Sequence, residues 1–158
     1  MKVKDIMSKS PGYCTPDMNL GAAVEILWNR NCGMLPVVDA HGKVLSVITD
    51  RDICIALGTR NRLASELSIA EVASQKAVTC TANEDVRSAL GKMADAKVRR
   101  LPVVSADGKL EGILSTDDVI EQTHVKSSGR GNELTSDDVV GTLKKLFAEQ
   151  LAQKSATA

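Results

Sequence analysis

The sequence predicts a mixed fold of the α/β (α+β) class. One strand–helix–hairpin–helix unit occurs twice, and an amphipathic helix follows. Three observations carry that prediction. The stretch from Leu35 to Asp52 returns without a gap as Leu101 to Asp118, at one constant offset (Pro36 to Pro102, Gly42 to Gly108, Asp52 to Asp118). Each copy holds two short apolar runs separated by a glycine turn, His41-Gly42 or Asp107-Gly108, which is the pattern of a β-hairpin. Before each hairpin, apolar residues recur at helical spacing: Leu20, Ala23, Val24 and Leu27, then Val86, Ala89, Leu90 and Met93. A fixed internal period marks a unit that cannot bury its apolar face alone, so the core is expected where the copies meet.

In chain order, Val3 to Met7 is expected to form a helical turn with Val3, Ile6 and Met7 inward, broken by Ser10-Pro11-Gly12. Tyr13-Cys14-Thr15 reads as a short extended piece, because Pro16 disfavours a helical conformation before it. Asn19 is placed to cap a helix running to about Asn31, stopped by Cys32-Gly33. The hairpin occupies Leu35 to Asp39 and Lys43 to Ile48, and Thr49 caps a helix from Asp50 to about Leu57. The second copy repeats this, with Ile69 to Ala73 for the leading turn, Asp85 for Asn19 and Ser115 for Thr49. Its last helix is expected to end near Gln122. These signals give a first repeat over 1–60, a second over 61–123, a flexible Ser/Gly linker over 124–134 and a helical tail over 135–158. In the tail, Thr135 or Ser136 caps a helix with Val139, Val140, Leu143, Leu146, Phe147 and Leu151 on one face. Such a helix docks on its own module or on another chain, and its removal after Gly131 is expected to leave the repeats folded.

Composition narrows the functions available. A formal net charge of zero provides no global field toward nucleic acid or an anionic membrane. Aromatic residues make up 2% of the chain, too few for base-stacking platforms. No apolar run reaches the roughly 18 residues that span a bilayer. Four cysteines (Cys14, Cys32, Cys54, Cys80) without a C-x-x-C pair, and no leading apolar run, read as a reduced cytoplasmic protein. Cys14 and Cys80 fall at equivalent positions and read as small buried apolar residues. His41 reads as a turn residue and His124 as part of the linker, neither with a metal-ligand partner. No nucleophile–base pair or P-loop is present, so neither a catalytic residue nor a catalytic cofactor is expected and the chain is read as no enzyme.

The chemistry-bearing motif is [ST]-x-x-D after each hairpin: Thr49 with Asp52, and Ser115 with Asp118. From spacing alone these pairs are helix caps of the capping-box kind, with Asp in place of Glu or Gln. Together with L-P-V-V…G, the hydrophobic pair before the motif and the leading "VKDIM", the duplicated order resembles the cystathionine-β-synthase (CBS) domain. Two copies form a tandem pair, or Bateman module. The resemblance covers roughly residues 1–122 and implies repeats packed about a pseudo-twofold axis, commonly paired into homodimers.

It further implies clefts between the repeats that bind an adenosine ligand: AMP, ADP or ATP, with S-adenosylmethionine or NAD as further candidates. By position, Asp52 and Asp118 would accept from ribose hydroxyls, with Thr49 and Ser115 near the ribose or α-phosphate. A carboxylate suits a vicinal diol because it accepts two charge-assisted hydrogen bonds. Val47, Ile48, Ile113 and Leu114 would flank the adenine, with Cys32 and Val98 near the wall. Thr15 and Thr81 are further candidates for purine or ribose contacts. Arg51, Arg99 and Arg100 are candidates for phosphate, and the N–H groups at the same helix starts would add to them. Asp117 stands where the first copy has Arg51, so the two sites are expected to differ in affinity. On this reading the chain is a regulatory, energy-sensing module that signals in trans to an unknown protein partner. The alternative is a ligand-free dimerisation or interaction scaffold.

Overall fold

The chain is seen in a computed structural model that describes residues 1–73, 76–122 and 134–148. The elements follow the duplication. A 3-10 turn at Val3–Asp5 precedes β1 (Ser8–Lys9), α1 (Leu20–Asn29), β2 (Met34–Val38), β3 (Val44–Thr49) and α2 (Asp50–Arg60). A second 3-10 turn at Ala64–Glu66 leads to α3 (Ile69–Val72), β4 (Cys80–Thr81), α4 (Val86–Ala96), β5 (Arg100–Val104), β6 (Leu110–Ser115), α5 (Thr116–Glu121) and α6 (Ser136–Leu146). The caps are the expected residues. The Asn19 side chain accepts from the Ala22 N–H, and Asp85 accepts from Arg87 N–H. Thr49, Ser115 and Thr135 each stand at the N-cap of the helix they precede. Helix α2 runs past the expected Leu57 to Arg60, because Asn61 (φ 49°) supplies the left-handed residue that ends it.

Two compact units result, and they do not follow chain order. One comprises Met1–Ser8, Val78–Val103 and the chain from Ile113 onward; the other comprises Lys9–Ala77 and Val104–Gly112. Each closes an apolar cluster of its own, and each cluster includes the leading segment of the other copy. In the first, Val3 is buried with Cys80, Val86, Met93, Leu101 and Leu114. In the second, Leu67 and Ile69 are buried with Cys14, Leu20, Leu35 and Ile48. The exchange is reciprocal down to single hydrogen bonds. The Val3 N–H donates to Glu84 O (3.0 Å) and Lys4 N–H to Ala82 O (2.9 Å). At the equivalent positions of the other copy, Ile69 N–H donates to Met18 O (2.8 Å) and Ala70 N–H to Pro16 O (3.0 Å). The copies therefore meet within each core, in the form of an exchanged segment.

In the unit containing Lys9–Ala77, β2 and β3 pair antiparallel, with Leu35 opposite Ile48 and Met34 opposite Thr49. Cys14 joins β2 on its other side. Both faces of β2 are buried, whereas β3 alternates, as a strand with one covered face does. Gly42 (φ 79°) and Gly108 (φ 84°) provide the positive φ of the two hairpin turns. The turns bond each other within this unit, Val44 N–H to Gly108 O and Leu110 N–H to Gly42 O, both 3.0 Å. The larger sheet runs in the order β1-β6-β5-β4.

One expectation is corrected. Val24, assigned to the buried face of α1, is 42% exposed, and Trp28 one turn on is 83% exposed. Of the two expected dockings of the tail, the structure has the one on its own module: α6 packs on α4 of its own unit, and Leu134 and Val139 are buried within that unit's core. An Arg87–Asp138 ion pair at 3.3 Å adds to the docking. The expected linker lies outside the described residues except for Leu134, as do His124 and Leu151. No described helix is long and apolar enough to cross a membrane.

Candidate functional site

Each hairpin ends on a hydroxyl residue whose next three positions start a helix, and the local chemistry is the same in both units. At Thr49, the backbone N–H (2.9 Å) and Oγ1 (2.7 Å) both donate to Asp52 Oδ2, while Asp52 N–H donates back to Thr49 Oγ1 (3.2 Å). At Ser115 the corresponding distances to Asp118 Oδ2 are 2.7 and 2.6 Å, with 3.1 Å for the return bond from Asp118 N–H. Both carboxylates are half-buried. One oxygen of each is thus committed to a capping box, which fixes the carboxylate's direction. The second oxygen is where the sites part. Asp118 Oδ1 accepts from Ser8 Oγ at 3.2 Å. Asp52 Oδ1 has no partner among the described residues.

The helix starts offer fewer open N–H groups than expected. Asp50 N–H donates to Gly33 O (3.3 Å), and Thr116 N–H to Arg99 O (3.0 Å), the same bond in the two copies. In the first copy Arg51 N–H is taken by Asp50 Oδ1 at 2.7 Å. All three leading N–H groups of α2 are therefore satisfied from within the chain.

The cations divide similarly. The Arg51 side chain is exposed and has no ion-pair partner among the described residues, whereas Arg100 faces Asp117 at 3.8 Å. That pair is 31% and 76% exposed, so its energy is small, but it directs the guanidinium toward an acid of its own chain. Arg99 is exposed, with its carbonyl engaged by α5. Val47 and Ile113 are half-buried two residues before the hydroxyls. Cys32 and Val98 are packed at the edges of their own cores, held by bonds from their N–H groups to Leu27 O and Met93 O, both 3.0 Å. Ile48 and Leu114, expected at an adenine, are fully buried core residues. Thr15 and Thr81 serve the turns after the short strands, their carbonyls accepting from Met18 and Glu84 N–H.

The remaining chemistry-bearing groups are quiet. Burial pushes the Cys14 thiol up to about 12 and, with the Glu84 charge adding, the Cys80 thiol to about 11, so both stay protonated at neutral pH. Among the described residues no group of three or more His, Cys, Asp or Glu is placed to hold a metal ion. The residue that sequence reasoning missed is Ser8. It lies 110 positions from Asp118, and only the exchange of leading segments brings it there.

A sequence model of the CBS domain matches residues 3–59 and 69–124. L-aspartate semialdehyde sulfurtransferase of Methanocaldococcus jannaschii is 32% identical over 117 residues, covering 74% of this chain and 22% of that protein. The chain thus spans about a fifth of that relative's length. The crystal structure of the CBS domain pair of protein MJ0100, in complex with 5′-methylthioadenosine and S-adenosyl-L-methionine, superposes with a TM-score of 0.67 at 30% identity, over 77% of this chain and 94% of that one. CBSX2 of Arabidopsis thaliana, in a crystal structure with AMP, gives a TM-score of 0.67 at 26% identity, over 76% and 93% of the two chains.

Proposed function

This chain belongs to the CBS-domain family as a tandem pair, and on that premise we propose that it is a regulatory module binding an adenosine-containing ligand through the carboxylates of Asp52 and Asp118. The observation that carries the reading is the repeated hydroxyl–carboxylate pair. Each Asp is oriented by a capping box through one oxygen only, and in Asp52 the other oxygen is left without a partner among the described residues. A half-buried carboxylate with an uncommitted oxygen accepts a ribose hydroxyl with charge assistance, and the capping function continues undisturbed. Relatives of this fold that bind AMP, S-adenosyl-L-methionine and 5′-methylthioadenosine support the ligand class. The module acts in trans on a protein partner rather than by catalysis, and a ligand shifts its state only by binding one conformation better than another.

Thermal denaturation with AMP, ADP, ATP, S-adenosylmethionine and GTP tests this. A ligand at about 100 times its Kd adds ~2.7 kcal/mol, several degrees for a domain of this size. Adenosine compounds shift the parent and not the Asp52→Asn/Asp118→Asn double variant. No shift with any of them, or an undiminished shift in the variant, removes the ligand reading and leaves the interaction scaffold.

A further inference from the structure

Ser8 meets Asp118 Oδ1 from the edge of the larger sheet, through an exposed side chain and one hydrogen bond of 3.2 Å. That bond alone does not keep the hydroxyl in place, because exposed side chains change rotamer freely. The chain just beyond it is held more firmly. Strand β1 ends at Lys9, Ser10 stands in the left-handed region (φ 55°), and Pro11 locks the next φ. A non-glycine residue at positive φ is strained and persists only where its surroundings hold it. The holder is Arg30, at the C-cap of α1, whose Nη1 donates to Ser10 O at 3.0 Å, a charge-assisted bond. The arm of Arg30 lies along Gly12, where an added Cβ would stand 2.8 Å from Arg30 Cδ and 3.2 Å from Nε. Arg30 has no ion-pair partner among the described residues, so no acid draws it off Ser10. The second copy lacks this strap, since Ala96, Lys76 and Val78 stand at the places of Arg30, Ser10 and Gly12.

We propose that Arg30 is a positioning residue for Asp118: by strapping Ser10 to the end of α1, it keeps the Ser8 hydroxyl on the carboxylate oxygen that a ribose would use. This rests on the reading of Asp118 as a ligand carboxylate and adds what regulates its affinity. Only Lys9 separates Ser8 from Ser10. Its strand conformation, with the proline beyond, leaves no slack, so a shift of Ser10 passes to Ser8. Linkage makes the effect reciprocal. A ligand that takes the oxygen from Ser8 also loosens Arg30 from Ser10.

Two readouts on the full chain separate this role from a merely structural one. Without ligand, Ser8→Ala moves the carboxyl-carbon resonance of Asp118. Arg30→Ala and Gly12→Ala move it in the same direction, whereas Arg30→Lys, which keeps an arm and a donor, stays near the parent. Arg30 is exposed, so its variants fold, and Gly12→Ala reaches the same contact from its other side. With AMP, titration calorimetry in the Asp52→Asn background gives about threefold tighter binding for Arg30→Ala. Combining Arg30→Ala with Ser8→Ala brings no further gain, the non-additivity of two residues acting through one bond. An Asp118 resonance unmoved in Arg30→Ala overturns the proposal. So does a gain from Arg30→Ala that persists in full beside Ser8→Ala. Absence of AMP binding in the parent removes the ligand reading, while the resonance, read without ligand, still decides whether Arg30 holds Ser8 on Asp118.

Discussion

The two units carry the same script, once per copy, and differ in what is laid over it. The first-copy carboxylate, Asp52, keeps an oxygen open and has the uncommitted Arg51 beside it; the second-copy carboxylate, Asp118, is met by Ser8, and its nearby Arg100 faces Asp117. Over the helices the same contrast returns. Helix α4 is covered by α6, and α1 is bare at Val24 and Trp28. Duplication followed by unequal covering thus gives one unit a more open capping carboxylate and an open helix face, and the other a closed version of each. What separates the units is the surroundings, because the hydrogen bonds of the motif itself are the same in both.

The helix covering gives the strongest way to break the symmetry. Ending the chain at Gly131 removes Leu134 and Val139 from their core and uncovers Leu90. Truncating one buried leucine costs about 2–5 kcal/mol, and removal of the whole cover costs at least that. Denaturant unfolding of the truncated chain should move to lower midpoint by that order. Val24→Ala, at the equivalent place on the bare helix, should stay within about 0.5 kcal/mol. Equal stability of the truncated and full chains would return α6 to the status of an appendage.

The pattern of surprises follows from what local chemistry encodes. The hairpin turns, the caps at Asn19, Asp85, Thr49 and Ser115, and the apolar faces of the long helices were legible because turn and cap chemistry acts within four residues and burial follows periodicity; that the core divides into two clusters was not. Periodicity gives the apolar side of a helix without saying what lands on its margin, so Val24 and Leu90 look alike in sequence and differ in exposure. Asp52 and Asp118 were legible as caps, and the resemblance adds their proposed role toward a ligand. The partners that distinguish them were not, since Ser8 reaches Asp118 only through the exchanged leading segment. The satisfaction of the N–H groups of α2 by Gly33 and Asp50 was equally hidden, being a matter of backbone approach.

The ligand comparison sharpens with Ser8. Its hydroxyl competes for the Asp118 oxygen that a ribose would use, so Ser8→Ala should raise affinity at that site a few-fold, within the ~0.5–1.5 kcal/mol of one net hydrogen bond. Titration calorimetry in an Asp52→Asn background isolates the Asp118 site. An unchanged or weaker affinity would mean that Ser8 supports the ligand or is irrelevant to it.

The smallest effect concerns the leading segments, which are exchanged alike and anchored unequally. Asp5 accepts one bond, from Lys2 N–H at 2.8 Å. Its counterpart Glu71 accepts from Ser68 N–H (2.8 Å), Ser68 Oγ (2.9 Å) and Arg62 Nη1 (2.8 Å). Those donors, the Ser68 N–H foremost, lower the Glu71 carboxyl from its ordinary 4.5 to about 2. A depressed carboxyl favours the folded form above its unfolded value and loses that contribution as pH falls through the folded one, here between about 4.5 and 2. Carboxyl-carbon NMR should therefore find Glu71 still ionised at pH 3.5, with the amide of Ile69 undisturbed. Arg62→Ala should move the titration upward, and Ser68→Ala should move it less, because alanine keeps the backbone N–H that is the foremost donor and loses only the hydroxyl. A Glu71 that titrates near 4.5 in the parent would mean that the segment at 69–72 is held by Leu67 and Ile69 in the core alone.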